Sequence, residues 1–255
     1  MLERWKKFQF LFVELIKRDF KKKYKRTFFG MLWSVISPLL QLLVMSLVFR
    51  QFFGRNTPHY TIYLFSGNLI FSYFSDATNG GMRSLLSNAS IFSRVNVPKY
   101  MFLFSRVLQS FINFLLTLAV YFIFVAIDGV PFSLSFFALI YPILCLTVFN
   151  IGVGMILSAL YVFFRDIEYL YSVFTMLLMY VSAIFYTIDA YAPHIQRLFL
   201  CNPIYVYIKY FRVVVLEGHL PSLEYHLLGA GYALVVFVIG FLIYRKYNYK
   251  FLYYV

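Results

Sequence analysis

Few side chains in this sequence have the type and spacing that acid–base or metal chemistry needs. The 255 residues include 10 Asp and Glu residues and four histidines, and no two histidines are spaced to share one helical turn. The sequence contains neither a GxxxxGK[ST] phosphate loop nor an HExxH zinc motif. No carboxylate lies in the middle of a long apolar stretch, where a proton-driven carrier places its relay. We therefore expect no catalytic residue, no metal and no cofactor in this chain.

Aromatic side chains are the other group whose chemistry could matter. Phe, Tyr and Trp make up 22% of the chain, with 32 Phe and 23 Tyr. Tyrosine rings stack on sugar faces while their hydroxyls bond to sugar hydroxyls, so a surface that lines a polysaccharide path is one interpretation. Interfacial belts and lipid-facing packing are the other interpretation. The sequence leaves both open.

The elements that must position these side chains are membrane helices. The chain is 62% hydrophobic and 13% charged, with a mean hydropathy of +0.76, whereas a soluble domain is about a quarter charged. A helix of roughly 20 apolar residues crosses a bilayer core. The long apolar runs do not alternate as barrel strands would. We predict an all-α membrane protein with six transmembrane helices, at about residues 29–51, 60–79, 103–127, 135–163, 168–188 and 225–244.

Lys and Arg residues indicate how these helices are oriented, because cytoplasmic loops are enriched in them. The loops on one side carry 18 of these residues and the loops on the other side carry 5. Both termini are therefore predicted to be cytoplasmic. Residues 1–26 combine basic residues with apolar positions on one helical face, which predicts an amphipathic helix on the inner leaflet. The membrane domain then covers residues 27–255.

Two connections are more apolar than free loops usually are. The inner loop 81–106, after the second span, has the apolar content of a short helix that either docks in a partner's groove or lies on the membrane. The outer segment 191–216, before the sixth span, is interrupted by prolines yet rich in apolar residues. Irregular backbone at membrane depth has to be buried in protein or line a cavity. We therefore expect short re-entrant or interfacial helices that form a gate-like structure at the outer mouth.

Four fragments of the sequence are informative through their order and spacing along the chain. They are Arg18–Gly30 with Leu32-Trp33 and Pro38, Tyr63–Gly67 leading to Asn88 and Val97-Pro98, Phe163–Ile167 with the later Phe185-Tyr186 pair, and Asn202-Pro203 with Phe211-Arg212. Together they resemble the permease subunits of bacterial ABC-type polysaccharide exporters, which have a type-2 ABC transmembrane domain and export O-antigen, capsule or teichoic acid. The resemblance covers essentially the whole chain. One departure follows Gly67, where such permeases often have Leu-Phe-Pro-Trp and this chain has Asn68-Leu-Ile-Phe.

The resemblance implies a multi-pass protein of the bacterial cytoplasmic membrane that forms a homodimer and exports a polysaccharide linked to undecaprenyl diphosphate. ATP and Mg would bind two copies of a separate ABC ATPase subunit, so this chain would not itself be an enzyme. Its other partners would be the lipid-linked polysaccharide and membrane lipids, and no nucleic acid.

The resemblance also implies roles for particular residues. The coupling region that would contact the ATPase is Asn88, Ser90, Ile91, Phe92, Arg94 and Pro98. The inner turn motif is Arg165 with Asp166. The aromatic candidates for the glycan path are Trp33, Phe49, Phe174, Tyr180, Phe185 and Tyr186. The outer gate candidates are Asn202, Pro203, Phe211 and Arg212.

A basic cluster near the inner leaflet suggests a further hypothesis, in which it attracts the lipid diphosphate. Its members are Lys21, Lys22, Lys23, Lys25 and Arg26. Simple anchoring of the N-terminal region on the cytoplasmic side is the alternative explanation.

Two other classes of function stay as alternatives. A membrane-embedded glycosyltransferase or acyltransferase would need a cluster of acidic or histidine residues at one membrane face, and the sequence does not provide one. An ATP-independent carrier would usually show internal repeats with interrupted helices in matching halves. No convincing internal repeat is visible.

Overall fold

The structure, a computed structural model, describes residues 9–18, 21, 29–54, 57–92, 97–252 and 254. These residues form helices and short connections without any β-strand, which confirms the all-α class. The helices in chain order are α1 (residues 9–18), α2 (Trp33–Phe53), α3 (Tyr60–Arg83), α4 (Ala89–Phe92), α5 (Tyr100–Ile127), α6 (Ile140–Phe163), α7 (Ile167–Val181), α8 (Pro193–Phe199), α9 (Pro203–Arg212) and α10 (Leu223–Tyr247).

Four helices of the described chain are long and apolar enough to cross a membrane. They are α2, α5, α10, and α6 together with the 3₁₀ turns that precede it from Leu134. Helices α8 and α9, with the π-helical turn Val213–Glu217, pass the same test only as a pair that bends by 104°, which is a broken span or a re-entrant loop. We call this pair the outer hairpin. The predicted number of six spans stays a prediction, since it also needs α3 and α7.

Helix α3 lies at the centre of the bundle, where α2, α5, α6 and α9 pack around it. Of its 24 residues, 18 are buried. Because most of its surface faces protein, α3 can carry polar residues such as Asn68, Ser72 and Thr78 that a lipid-facing helix would not. Those residues also lower its hydropathy, which is why a test of apolar composition does not select it.

Glycines allow α6 to pack closely against two neighbours. A Cβ atom at Gly240 of α10 would lie 2.5 Å from the carbonyl oxygen of Gly152, and one at Gly81 of α3 would lie 3.1 Å from the Cα of Gly154. The small side chains on this face of α6 therefore serve helix packing, as expected in a membrane bundle.

Helices α2 and α7 are the least enclosed of the long helices. Leu42 is the one buried residue described in α2, and Tyr171 and Thr175 are those of α7. The exposed side chains of both helices are mainly apolar, Leu47 and Leu177 among them. Such surfaces suit contact with lipid or with a second protein chain.

Candidate functional site

The guanidinium of Arg212 is buried where α9, α3 and the segment after α7 meet. The residue is 3% exposed. Its Nη1 donates to the carbonyl of Ala183 at 2.8 Å, and its Nη2 donates to the carbonyls of Ile184 at 2.9 Å and Tyr63 at 3.1 Å. Its Nε lies 3.3 Å from the Ser66 hydroxyl. A buried charge is costly unless it is hydrogen-bonded, so these acceptors fix the position of the guanidinium. Arg212 thereby links α9 to α3 and to the segment after α7.

The acceptors of Arg212 belong to an irregular segment, residues 182–188, that follows α7. The helix ends at Val181, and Ala183 has a positive φ of 51°. The fifth predicted span, 168–188, is therefore helical only in its first part. An irregular backbone leaves carbonyl oxygens without helical donors, which is costly away from water unless side chains replace those donors.

Two tyrosines of α3 supply further donors to this segment. The hydroxyl of Tyr60 donates to the carbonyl of Phe185 at 2.8 Å, and that of Tyr63 donates to the carbonyl of Tyr186 at 2.7 Å. Part of the aromatic content thus has a structural role, because these hydroxyls stabilise irregular backbone. Neither tyrosine was among the site residues predicted from the sequence. Their spacing of three residues, one helical turn, was the available signal.

The outer hairpin begins its buried helix with a side-chain cap. The Asn202 Oδ1 accepts from the backbone N–H groups of Ile204 at 3.0 Å and Tyr205 at 3.4 Å, and Pro203 occupies the first turn of α9. The Asn202 Nδ2 donates to the Ser182 hydroxyl at 3.0 Å. Asn202 therefore links the start of α9 to the irregular segment.

Phe211 completes the group of outer gate candidates that the sequence indicated. Its side chain is fully enclosed, and its ring lies 5.5 Å from that of Tyr121 on α5, measured between centroids. The structure thus places Asn202 and Pro203 at the start of α9, with Phe211 and Arg212 at its end. Asn202 and Arg212 hold the two ends of α9 through hydrogen bonds, and Phe211 packs against α5.

Four of the six aromatic path candidates lie together at the irregular segment. The rings of Phe49 and Phe185 stack with 4.5 Å between centroids, and the ring of Tyr180 lies 6.0 Å from that of Phe185. The hydroxyl of Tyr186 donates to the carbonyl of Tyr180 at 2.9 Å. Phe185 is buried and Tyr180 is 55% exposed, so this aromatic cluster presents one face outward between α2 and α7.

The other two candidates lie elsewhere. Trp33 stands at the first turn of α2, where its ring contacts that of Phe29 edge-on at 5.6 Å. Phe174 lies half exposed on α7 beside Tyr171. Residue type alone did not separate these two from the cluster. What each helical face contacts depends on how the helices pack, which residue type does not show.

Asn88 of the coupling region is an internal link. It is 2% exposed, its Oδ1 accepts from the Arg18 Nη2 of α1 at 2.7 Å, and its Nδ2 donates to the carbonyl of Ser84 at 2.8 Å. Leu85 and Val97 of the same loop are buried in the chain's own core, so less of the loop's apolar surface is free than its composition indicated.

The rest of the coupling region lies on α4 and beyond it. Ser90 is exposed, and Ile91 and Pro98 are partly buried. The side chain of Phe92 and the whole of Arg94 lie outside the described residues. Of the basic cluster, Lys21 is exposed, whereas the remaining members Lys22, Lys23, Lys25 and Arg26 lie outside the described residues.

The inner turn motif joins α6 to α7. The carbonyl of Asp166 accepts from the backbone N–H groups of Tyr169 and Leu170 in α7, and the guanidinium of Arg165 lies over the Tyr161 ring at 5.6 Å. Beside them Glu168 accepts from the Arg83 Nη2 at 2.5 Å and from the Tyr161 hydroxyl. The inner ends of α3, α6 and α7 are thereby connected. In the described ranges, no group of three or more His, Cys, Asp or Glu side chains could hold a metal ion.

The sequence is similar to those of known transport proteins. The profile of a family described as ABC-2 type transporter matches residues 11–216. An O-antigen export system permease protein RfbA of Klebsiella pneumoniae is 29% identical over 245 residues, which cover 94% of this chain and 93% of that protein. A protein of the same description from Myxococcus xanthus is 24% identical, over 84% of this chain and 83% of its own length. The polysialic acid transport protein KpsM of Escherichia coli is 22% identical over 91% of each chain.

Proposed function

This chain belongs to the ABC-2 type transporter family, and on that basis we propose that it is the membrane-spanning permease subunit of an exporter that carries a polysaccharide out of the bacterial cytoplasm. The family that the sequence fragments indicated is confirmed. The observation that most supports the proposed substrate is similarity along nearly the whole chain to proteins named for export of O-antigen. The four apolar helices long enough to span a membrane support a location in the inner membrane.

The physical problem for such a protein is to move hydroxyl groups through hydrocarbon. Each polar group left without a partner there costs several kcal/mol, roughly 2–7 depending on the reference state. A wall of aromatic rings replaces water without holding one sugar tightly. In our proposal, the cluster of Phe49, Tyr180 and Phe185 contributes to such a wall through its outward face. In our proposal, two copies of the chain meet through the weakly enclosed α2 and α7 and line one path for a glycan on undecaprenyl diphosphate.

The energy source in this proposal is ATP, bound with Mg by two separate ATPase subunits under the permease dimer. Ser90 and Ile91 on α4 would contact the ATPase. A displacement there would pass through Asn88 to Arg18 on α1, since their side chains are hydrogen-bonded. It would also reach α3, whose last residue Arg83 is paired with Glu168 of α7. The inner ends of these helices would then move as one unit.

The outer hairpin would form the exit gate, with its two helices in different roles. Helix α9 is anchored, because eight of its 10 residues are buried and Arg212 ties it to α3. Helix α8 has no buried residue. We therefore assign the moving part of the gate to α8 and the fixed hinge to the Asn202-Pro203 junction.

Gene deletion tests this function directly. Without the chain, surface polysaccharide should disappear and lipid-linked glycan should accumulate inside the cell, and a plasmid copy should restore export. A tagged copy should co-purify with a protein that carries a phosphate-loop motif, and the pair should hydrolyse ATP. A monomer that moves its substrate without any nucleotide-hydrolysing partner would instead support the alternative of an ATP-independent carrier. Sugar or acyl transfer by the purified chain would support the transferase.

A further inference from the structure

A polar groove lies between α2, α3 and α5, apart from the aromatic cluster and the outer hairpin. Its volume is about 580 Å³, within the range of about 300–1,000 Å³ that small-molecule sites occupy. Each helix contributes polar residues at helical spacing: Ser34, Ser37 and Gln41 from α2, Asn68, Ser72 and Asp76 from α3, and Ser110, Asn113 and Thr117 from α5. The Thr117 hydroxyl lies 3.5 Å from the Ser34 carbonyl, and elsewhere the three polar faces surround a cavity.

Asn68 carries the strongest indication that a ligand belongs in this groove. Its side chain is 2% exposed and lines the cavity. Its Nδ2 has no hydrogen-bond partner within the described part of the chain, and its Oδ1 lies 3.5 Å from the Ser72 hydroxyl. A buried amide donor without a partner costs about 1–3 kcal/mol. A ligand hydroxyl in the groove would supply the missing acceptor.

The lining combines polar groups with apolar surface, as a sugar ring does. Hydroxyl and amide groups can donate to and accept from sugar hydroxyls. Phe65 and Phe114 add apolar surface, and the Trp33 ring, 40% exposed, stands at the edge of the groove. Aromatic rings stack on the C–H face of sugars. The described lining contains no Lys or Arg, the side chains that an anionic sugar would call for.

The groove and the aromatic cluster lie at different heights along α2. Trp33, Gln41 and Phe49 follow one another at intervals of eight residues, each of which turns the helix by a net angle of about 80°, so the three side chains lie on different sides of α2. From Gln41 to Phe49 the helix rises by about 12 Å, at 1.5 Å per residue. In the predicted orientation, the groove occupies the inner half of the membrane and the cluster the outer half.

We propose that this groove is a glycan-binding site within each permease chain, which holds a short uncharged segment of the polysaccharide through its hydroxyls before the segment reaches the Phe49 and Phe185 rings. This assignment rests on the proposed function, because it takes the exported polysaccharide as the ligand. Asn68 and Gln41 bind the hydroxyls, and Trp33 stacks on a ring face.

Trp33 provides a direct probe of binding, since Trp5 is the only other tryptophan. The full-length Trp5→Phe variant, placed in lipid nanodiscs free of sugar-based detergent, should report the groove through Trp33 emission. We expect a saturable change when uncharged oligosaccharides of glucose, mannose, galactose or rhamnose are added, and none with an equal mass of polyethylene glycol. A sialic-acid oligomer should bind at least tenfold more weakly. Equal binding of that oligomer would contradict the assignment to uncharged sugars.

A matched pair of variants of α3 separates the groove from general effects on the helix. Asn68→Leu removes the unpaired amide and should weaken oligosaccharide binding at least tenfold. Asn79→Leu makes the same change where the side chain bonds to Ser75 and does not line the groove, so binding should stay within twofold. The inference is overturned if no oligosaccharide changes Trp33 emission while gene deletion still abolishes surface polysaccharide. If deletion leaves surface polysaccharide unchanged, the proposed function fails instead.

Discussion

The guanidinium of Arg212 lies 3.4 Å above the ring centroid of Tyr63 and donates to the carbonyl oxygen of the same residue. One side chain of α9 therefore holds one residue of α3 through both its ring and its backbone. The Tyr63 hydroxyl in turn donates to the carbonyl of Tyr186. The guanidinium of Arg212 and the hydroxyl of Tyr63 thus both donate to buried backbone carbonyls of the irregular segment.

These contacts predict that Arg212→Lys destabilises the protein although the charge is kept. Lysine has its donors on a single nitrogen and offers no planar face to a ring, so it cannot reach the acceptors around Arg212 at once. Each hydrogen bond from a charged donor contributes about 1.5–3 kcal/mol, and the loss of two should lower the free energy of unfolding by about 3 kcal/mol or more. Thermal unfolding in nanodiscs measures this.

Arg197→Lys is the matched control for that change, because Arg197 is exposed on α8. It should leave the unfolding temperature unchanged. If both variants unfold at the temperature of the unchanged protein, Arg212 does not fix the outer hairpin.

Gly67 should be as sensitive as Arg212 for a steric reason. A Cβ atom at this position would lie 2.7 Å from the Arg212 Nη2 and 3.2 Å from the Ile184 Cγ2. Gly67→Ala should therefore displace the guanidinium and reduce both stability and export, although alanine favours helix by about 1 kcal/mol. Gly231→Ala on α10 is the control, because nothing lies within 4 Å of a Cβ atom there. Equal thermal stability of the two variants would contradict this prediction. It would show that the side chains around Gly67 can move to accept a Cβ atom.

The two native cysteines test the predicted orientation. Both are free thiols. Cys201 is exposed between α8 and α9, and Cys145 is partly buried in α6. A membrane-impermeant maleimide should label intact spheroplasts, and Cys201→Ser should abolish the labelling while Cys145→Ser retains it. Labelling only after the membrane is permeabilised would reverse the assignment of sides.

Much of the helical framework follows from local sequence. Apolar runs locate the long helices, and Pro193 and Pro203 mark helix starts because proline fits the first turn. The small residues Gly152 and Gly154 mark the packing face of α6. Each of these signals acts within a few residues, so one sequence is enough to read it.

The end of α7 could not be read in the same way. The residues after Val181 remain mainly apolar, and the helix stops where Arg212, about 30 positions later, binds the carbonyls of Ala183 and Ile184. That contact exists only once α9 is packed against α3. The polar groove was missed for a similar reason, since the polar faces of its three helices have meaning only when the helices are placed together.

The Arg18 and Asn88 side chains give the last prediction, which concerns how the proposed ATPase drives the permease. Their hydrogen bond of 2.7 Å joins α1 to the loop before α4. Arg18→Gln or Asn88→Ala should leave ATP hydrolysis by the assembled complex within twofold and reduce export several-fold, because the loop would move without α1. Interacting side chains deviate from additivity, so the double variant should export no less than the more impaired single variant. The control is Lys17→Gln, whose exposed side chain pairs only with Glu14 among the described contacts, and it should export normally. Additive losses in the double variant would mean that the two residues act separately and that the link does not transmit the motion.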